Sequence, residues 1–417
     1  MKALKIKTLK IKIHDIHVFL NSLIIAVLCT SNLLFIQILY ILNITQGFFL
    51  VMGAATGLLL FSLAIYRNLS KTDFFAVGFL LCLIMFFYFI CNIFNRIGNI
   101  SFFSFAGYCI LPIVCALLKK NTKTILECIL IISLFTLPVS NQMFEYQYVT
   151  LQQTDMSKAY AVFVTVSAAA IHFFRYRKKS NIIIKICYIV NVYLLYKLLQ
   201  VGNRGVIASV IFLILVLLIC YIRNNEISAK KKRAMMIFLV ITGIVLVVLV
   251  LNIERIIVYL YNYFYSSGRT VPSFIIKMYK LIVYKSDITN GRDEVYGFFI
   301  SKILSSPIIG YGMEMSSSVS GGIYPYPHNF ILQMLFEGGI LFAAYPTYLG
   351  VRMLIDSLFV SHTDRDYEIF AVFLLCNCIP KLLVSGSIWN QTIFWMWLGL
   401  ASVHFMRQRR RNGKIAK

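Results

Sequence analysis

Along the chain, apolar runs alternate with short polar or basic connections, and runs of roughly 16 to 25 residues wound as helices are long enough to cross about 30 Å of hydrocarbon. The pattern predicts helices near Val18 to Leu42, Gly47 to Tyr66, Phe74 to Ile93, Phe102 to Leu118, Thr124 to Val139 and Ala159 to Phe174. Six more follow near Asn181 to Leu199, Val206 to Tyr221, Ala234 to Ile253, Phe330 to Val351, Ile369 to Leu383 and Trp389 to Met406. A membrane β-barrel would instead show short alternating strands. The expected fold is therefore an all-α polytopic membrane protein of about twelve transmembrane helices, a single domain over 1–417. One long connection, 254–329, interrupts the second half of the pattern.

Composition agrees. Apolar side chains make up 59% of the 417 residues and charged ones 13%, about half the charged share of a soluble domain. A net charge of +24 would suggest nucleic acid for a soluble protein, but here the basic residues cluster between apolar runs and act as topology signals, so no nucleic-acid partner is expected. Alternate connections carry them: the N-terminal tail, Arg67/Lys71, Lys119/Lys120/Lys123, Arg175 to Lys179, Arg223 with Lys230 to Arg233, Arg352/Arg365 and the tail from Arg407. The opposite short connections hold only Arg96, Lys158 and Arg204. The positive-inside rule makes the first set cytoplasmic, with both termini inside and 254–329 on the non-cytoplasmic face. The basic N-terminus resembles a signal-peptide head, but the apolar run after it is long and lacks a small-x-small cleavage site, which predicts an uncleaved first helix. The ten cysteines fall within or beside apolar runs, with no Cys-x-x-Cys pair, and indicate neither a disulfide framework nor a metal site.

The long connection is not linker material. Amphipathic patches occur around Ile256 to Tyr265, Ser273 to Tyr284 and Asp293 to Leu304, and ten of the 25 tyrosines lie between Tyr259 and Tyr326, a composition that argues against disorder. Short amphipathic helices are expected there. No internal repeat or inverted symmetry of the transporter kind is visible.

Within this stretch, Ser305-Ser306-Pro307-Ile308-Ile309-Gly310-Tyr311-Gly312 is followed by a Ser/Gly-rich passage and then by Tyr324-Pro325-Tyr326-Pro327-His328-Asn329, which opens a helix containing Glu337-Gly338-Gly339. With Gly291-Arg292 and Asn203-Arg204-Gly205, this pattern resembles the O-antigen ligase and polymerase family of bacterial envelope enzymes. The resemblance covers the second half of the chain. It implies a glycosyltransferase of the inner membrane that takes an undecaprenyl-diphosphate-linked oligosaccharide on the periplasmic face and passes it to an acceptor sugar hydroxyl, without a metal, nucleotide sugar or other cofactor. It also implies that Arg204, Arg292 and His328 correspond to the family's two essential arginines and its loop histidine.

The chemistry of these residue types suits that reaction. A guanidinium meets diphosphate oxygens bidentately and does not deprotonate, so Arg204 and Arg292 suit a leaving group that gains charge. Their ordinary roles would be an interfacial side chain for Arg204 and a solvated partner of Asp293 or Glu294 for Arg292. His328 is largely neutral at pH 7 and able to accept a proton from an attacking hydroxyl, or else is a polar surface residue. Asn329 suits a helix N-cap, which would also aim a partly positive helix end at an anion near His328. Tyr324 and Tyr326 are candidates for sugar contact, against an aromatic belt at the membrane surface. Glu294, Glu314 and Glu337 are alternative bases.

The favoured expectation is an inverting polymerase that joins one lipid-linked repeat unit to the terminal sugar of another. The alternative is a ligase that delivers the glycan to lipid A core; a lipid-linked oligosaccharide flippase is more distant. A chain-length regulator is a further expected partner, alongside membrane lipids. Transport would place ionisable residues along the helices; the candidates are few, chiefly Glu127, Lys185, Lys197, Glu337 and Lys381. An epitope inserted in 254–329 is expected to be cleaved by protease added to spheroplasts, and its protection would reverse the assigned orientation.

Overall fold

The computed structural model describes residues 2–42, 47–65, 71–98, 100–138, 140, 156–201, 204–223, 228–230, 233–234, 237, 241, 248, 251–268, 271, 273–283, 292–360 and 364–415. Helices dominate them: α1 (Lys2–Cys29), α2 (Ser31–Leu42), α3 (Gly47–Ile65), α4 (Lys71–Ile93), α5 (Phe102–Cys115), α6 (Thr122–Phe135), α7 (Met156–Tyr176), α8 (Ile182–Val201) and α9 (Arg204–Arg223). The long connection carries α10 (Ile253–Ser266), α11 (Ser273–Val283), α12 (Arg292–Ser305) and the short α13 (Ser316–Val319), and α14 (Phe330–Phe359), α15 (Arg365–Val384) and α16 (Thr392–Ile415) complete the chain. No strand occurs among the described residues; Ile97 and Met313 form an isolated bridge.

Among the described residues, six helices are long and apolar enough to cross a membrane, or seven if the bent pair α1–α2 is one span. They are α4, α7, α8, α9, α14 and α15. Of the other expected runs, Phe102 to Leu118 and Thr124 to Val139 appear as the shorter α5 and α6, and Ala234 to Ile253 lies largely outside the described residues. The expected continuous helix from Val18 to Leu42 is instead broken, with a 70° bend between Cys29 and Ser31. The Thr30 hydroxyl donates to the Ala26 carbonyl at 2.8 Å, and such back-bonding bends helices. In α5 a widened turn, Ala106–Ile110, precedes Pro112, whose missing N–H cannot continue the regular ladder.

The core lies where α4, α5, α14, α15 and α16 meet. Trp389, Trp395 and Trp397 are fully buried; Trp389 stacks near Trp395, Phe87 and Phe342 at centroid separations of 5.4, 6.1 and 5.8 Å. Exposed apolar side chains such as Phe75, Ile189, Leu215 and Leu341 line the outer faces, as a lipid-facing surface requires.

α9 and α15 run antiparallel. Arg223, at the end of α9, forms an ion pair with Glu368 in the first turn of α15, whereas Gly205, at the start of α9, packs against Val384 at the end of α15. Each helix has 20 residues, roughly 30 Å of length, one hydrocarbon thickness. The Arg223 end also gathers Asp73 with Arg407 (Nε to Oδ1, 2.8 Å) and Asp356 with His404 (3.4 Å).

α14 is 30 residues long but not continuous, because Gly339 has φ 59° and ψ −165°. In an unbroken helix the N–H groups of Ile340 and Leu341 would meet the carbonyls of Phe336 and Glu337. The loop 307–312 serves all four groups instead. Tyr311 N–H donates to Phe336 O (2.8 Å) and Gly312 N–H to Glu337 O (2.7 Å), while Ile340 N–H donates to Pro307 O (2.9 Å) and Leu341 N–H to Ile308 O (3.2 Å). The contact is backbone on backbone: a Cβ on Gly339 would lie 2.2 Å from Ile308 O, and one on Gly310 2.5 Å from Glu337 O. The Pro-Ile-Ile-Gly-Tyr-Gly and Glu-Gly-Gly stretches thus form one splice. Gly339→Ala is expected to destabilise the protein by about 2 kcal/mol or more, since φ and contact both oppose a side chain. An unchanged melting temperature in detergent would contradict this role for the splice.

Candidate functional site

At the end of the α9–α15 pair opposite the Arg223 ion pair, several segments converge. Arg292 opens α12, and its guanidinium donates to the carbonyl of Val384, the last residue of α15, at 2.9 Å. A helix C-terminus has unpaired carbonyls and a partial negative charge, so it holds a cation in place. α12 is itself fixed through Val295 and Phe299, which are buried against Phe336 of α14, with Phe299 and Phe336 edge to face at 4.8 Å. Because Phe336 O is held by the splice, the position of Arg292 depends on that joint.

His328 stands just before α14. Its φ is 56°, a left-handed conformation that histidine adopts more readily than most side chains but that still stores strain. Pro327 before it is buried, and the Tyr326 ring lies 4.4 Å from the imidazole at 55°. Nδ1 of His328 is buried without a hydrogen-bond partner. Burial, and secondly the positive charge of Arg292, push the His328 pKa below its ordinary value. Both causes disfavour the imidazolium, so the ring is neutral at pH 7 and within the electrostatic reach of a fixed guanidinium.

Arg204 begins α9, but its side chain lies outside the described residues. The next residue, Gly205, is directly against Tyr160: a Cβ there would come within 2.0 Å of the phenol oxygen and 3.1 Å of a Val384 methyl. Tyr160 is in turn within electrostatic range of Arg292 and Tyr326, and the Lys381 ammonium lies 5.2 Å from the centre of its ring. Tyr160 thus links the Arg204 turn to Arg292 and the His328 segment. Sequence reading missed it, along with the Val384 carbonyl. Lys381 stood out only as an intramembrane charge. A tyrosine just inside an apolar helix carries no separate signal.

The other predicted residues have more local partners. The Asn329 side chain accepts from the N–H groups of Ile331 (3.0 Å) and Leu332 (3.3 Å), so its oxygen is committed to the helix cap. Tyr324 packs 5.4 Å from Phe298 and 6.3 Å from Phe299 within the loop's own apolar cluster. Tyr326 stays with His328. Among the acids, Glu337 is fully buried and accepts from Gln333 Nε2 (2.8 Å) and Trp389 Nε1 (2.5 Å). Gln333 also donates to Ser387 Oγ (2.8 Å) and accepts from Ile388 N–H (3.0 Å). Glu337 therefore pins α14 to the α15–α16 turn. Glu314 has its pKa raised by burial, and Glu294 is exposed.

A helical multi-pass membrane protein with a basic, histidine-bearing cluster at one end of its bundle is the class that this geometry defines. Residues 189–345 match the model of a protein family described as O-antigen ligase. This bears out the resemblance to the O-antigen ligase and polymerase family, whose members are membrane glycosyltransferase-like enzymes, and it does not distinguish the polymerase branch. The matched stretch includes Arg204, Arg292, the splice and His328; Tyr160, Lys381 and Val384 lie outside it. No curated protein matches the chain.

If His328 acts as a base, the acid limb of kcat/KM lies below pH 6.5, because the folded-state pKa is depressed and activity is lost only once the ring protonates. Removing the charge with Arg292→Gln is expected to move the limb of the residual activity upward. A limb above pH 6.5 that Arg292→Gln leaves in place would exclude this role.

Proposed function

We propose that this chain is an O-antigen polymerase that transfers an undecaprenyl-diphosphate-linked oligosaccharide to the terminal sugar of a second lipid-linked repeat unit on the periplasmic face of the bacterial inner membrane. The observation that carries the reading is a half-buried His328 within electrostatic reach of the Arg292 guanidinium, which the Val384 carbonyl holds in place. The acceptor hydroxyl oxygen attacks the anomeric carbon from the face opposite the diphosphate. The anomeric C–O bond breaks, and its electron pair leaves with undecaprenyl diphosphate. The hydroxyl proton passes to His328, and one glycosidic bond forms with inversion.

Arg292, with Arg204 at the neighbouring helix start, answers the charge that grows on the leaving diphosphate. The N-terminus of α14, capped by Asn329, adds a partial positive charge beside His328. The orientation is supported by the distribution of basic clusters: Arg223 and Arg407 make their ion pairs at the end of the bundle away from His328. The site then faces the periplasm and both termini the cytoplasm.

A second reading, ligation of the glycan to lipid A core, is favoured by the description of the matching family. It shares the donor chemistry and differs in the acceptor. Glycolipid banding of a deletion strain separates the two: core bearing one repeat unit marks a polymerase, and bare core with polymer retained on the carrier marks a ligase. Under either reading, Arg204→Ala, Arg292→Ala and His328→Ala are expected to abolish long-chain surface glycan, a loss of about 100-fold or more in rate, with protein still in the membrane. Normal glycan in all three strains would refute the site.

A further inference from the structure

At Asn252 the exposed side chains change character. Before it, Ile237, Ile241, Val248 and Leu251 face outward, as lipid contact requires. After it, the exposed positions of α10 include Arg255, Tyr259, Asn262, Tyr263 and Ser266, spaced by three or four residues or lying beside one another on the helix wheel, and therefore on one face. α10 has 14 residues, about 21 Å of helix, too short to cross hydrocarbon.

The other side of α10 is occupied. Ile257 is buried, α11 packs against the helix, and Tyr261 stacks on Tyr279 at 3.8 Å with the rings 10° apart. Tyr265 lies parallel to Tyr261 at 6.1 Å. α11 in turn contacts α8, whose end leads into the Arg204 turn. The outward face is thus mounted on a packed hairpin. Tyr259 and Tyr265 are 69% and 74% exposed, and Tyr263 is exposed between them, so these rings form a patch of a kind that marks a contact. A lipid-facing patch would carry aliphatic side chains between the rings, as the chain does up to Leu251. Here Arg255, Asn262 and Ser266 stand between Tyr259 and Tyr263 on one flank and Tyr265 on the other. Aromatic faces bordering guanidinium, amide and hydroxyl groups suit a ligand with apolar C–H faces and a rim of hydroxyls, which describes a sugar ring.

We propose that this face of α10 is a secondary carbohydrate-binding surface that holds the glycan strand of the lipid-linked donor outside the reaction centre. Tyr259 and Tyr263 stand one turn apart, about 6 Å along the helix, and offer stacking faces to neighbouring sugars, while Asn262 and Arg255 donate to their hydroxyls. Tyrosine rings have few rotatable bonds, so little freedom is lost when they are engaged. The inference takes its ligand from the glycan transfer proposed above, and the surface has no part in making the bond.

The test uses the surface glycan of the source strain, released from its lipid by mild acid and added to purified full-length protein in detergent, with binding followed by saturation-transfer NMR. The wild type is expected to bind this glycan. Combining Tyr259→Ala with Tyr263→Ala is expected to weaken binding by roughly 10-fold, and the two Phe substitutions to keep most of it. Arg292→Gln is expected to leave it unchanged, because the probe carries no lipid diphosphate. In cells the double alanine variant is expected to shorten the surface glycan without abolishing it. Wild-type affinity in that variant, or no binding by the wild type, would overturn the surface; if the His328→Ala strain has meanwhile lost its glycan, the proposed reaction stands. Normal glycan in the His328→Ala strain would overturn the reaction and with it the ligand named here. Unchanged affinity with a melting temperature lowered only in lipid vesicles would mark an aromatic belt at the membrane surface and overturn the proposal. Should the double alanine variant fail to fold, Tyr259→Gln and Tyr263→Gln, made singly, carry the same comparison.

Discussion

The broken turn of α14 is the joint on which the rest of the site depends. At Gly339 the helix forgoes two of its own hydrogen bonds, and four main-chain bonds to residues 307–312 replace them. In an apolar surrounding, each of those groups left open would cost several kcal/mol. The replacement is therefore obligatory, and it determines where the long connection must lie. Some 20 residues follow the break, roughly 30 Å of helix and sufficient to span hydrocarbon. The segment before it forms a short, largely buried platform. Phe336 supports α12 and hence Arg292 from that platform, Asn329 and His328 form its outer end, and Glu337 fastens its inner end to Trp389.

Charge is divided along the same axis. At one end of the bundle Arg223 pairs with Glu368 and Arg407 with Asp73. At the other, Arg292 donates to the Val384 carbonyl and Lys381 lies over the Tyr160 ring. Ion pairs at the first end join helices that are far apart in sequence. At the second end the main-chain splice and the Phe299–Phe336 contact fix α12, and with it Arg292.

Much of this was legible in the sequence. Apolar runs anticipated the helices, and the amphipathic patches near Ile256, Ser273 and Asp293 correspond to α10, α11 and α12. Asn329 signalled a cap and is one. The Gly-Tyr-Gly and Glu-Gly-Gly stretches were recognisable as a pattern, but their function as mates for each other was not, because main-chain pairing between residues roughly 25 to 33 apart leaves no periodic trace. Tyr160 was invisible for a related reason: its importance comes from what folds against it, not from its neighbours in the chain. The Thr30 bend escaped because a threonine inside an apolar run is compatible with both a straight and a bent helix.

Main-chain hydrogen bonds do not read side chains, and this has a consequence for how such a protein diversifies. Between the glycines of the splice, Ile308 and Ile309 are exposed, as are Ser317, Ser318 and Ile323 beyond it. Substitutions at these positions leave the frame untouched as long as Gly310, Gly312 and Gly339 persist. On the proposed reading, this exposed rim is free to drift toward new sugars while the main-chain scaffold stays constant, so novelty in surface glycans can be acquired without re-solving the folding problem.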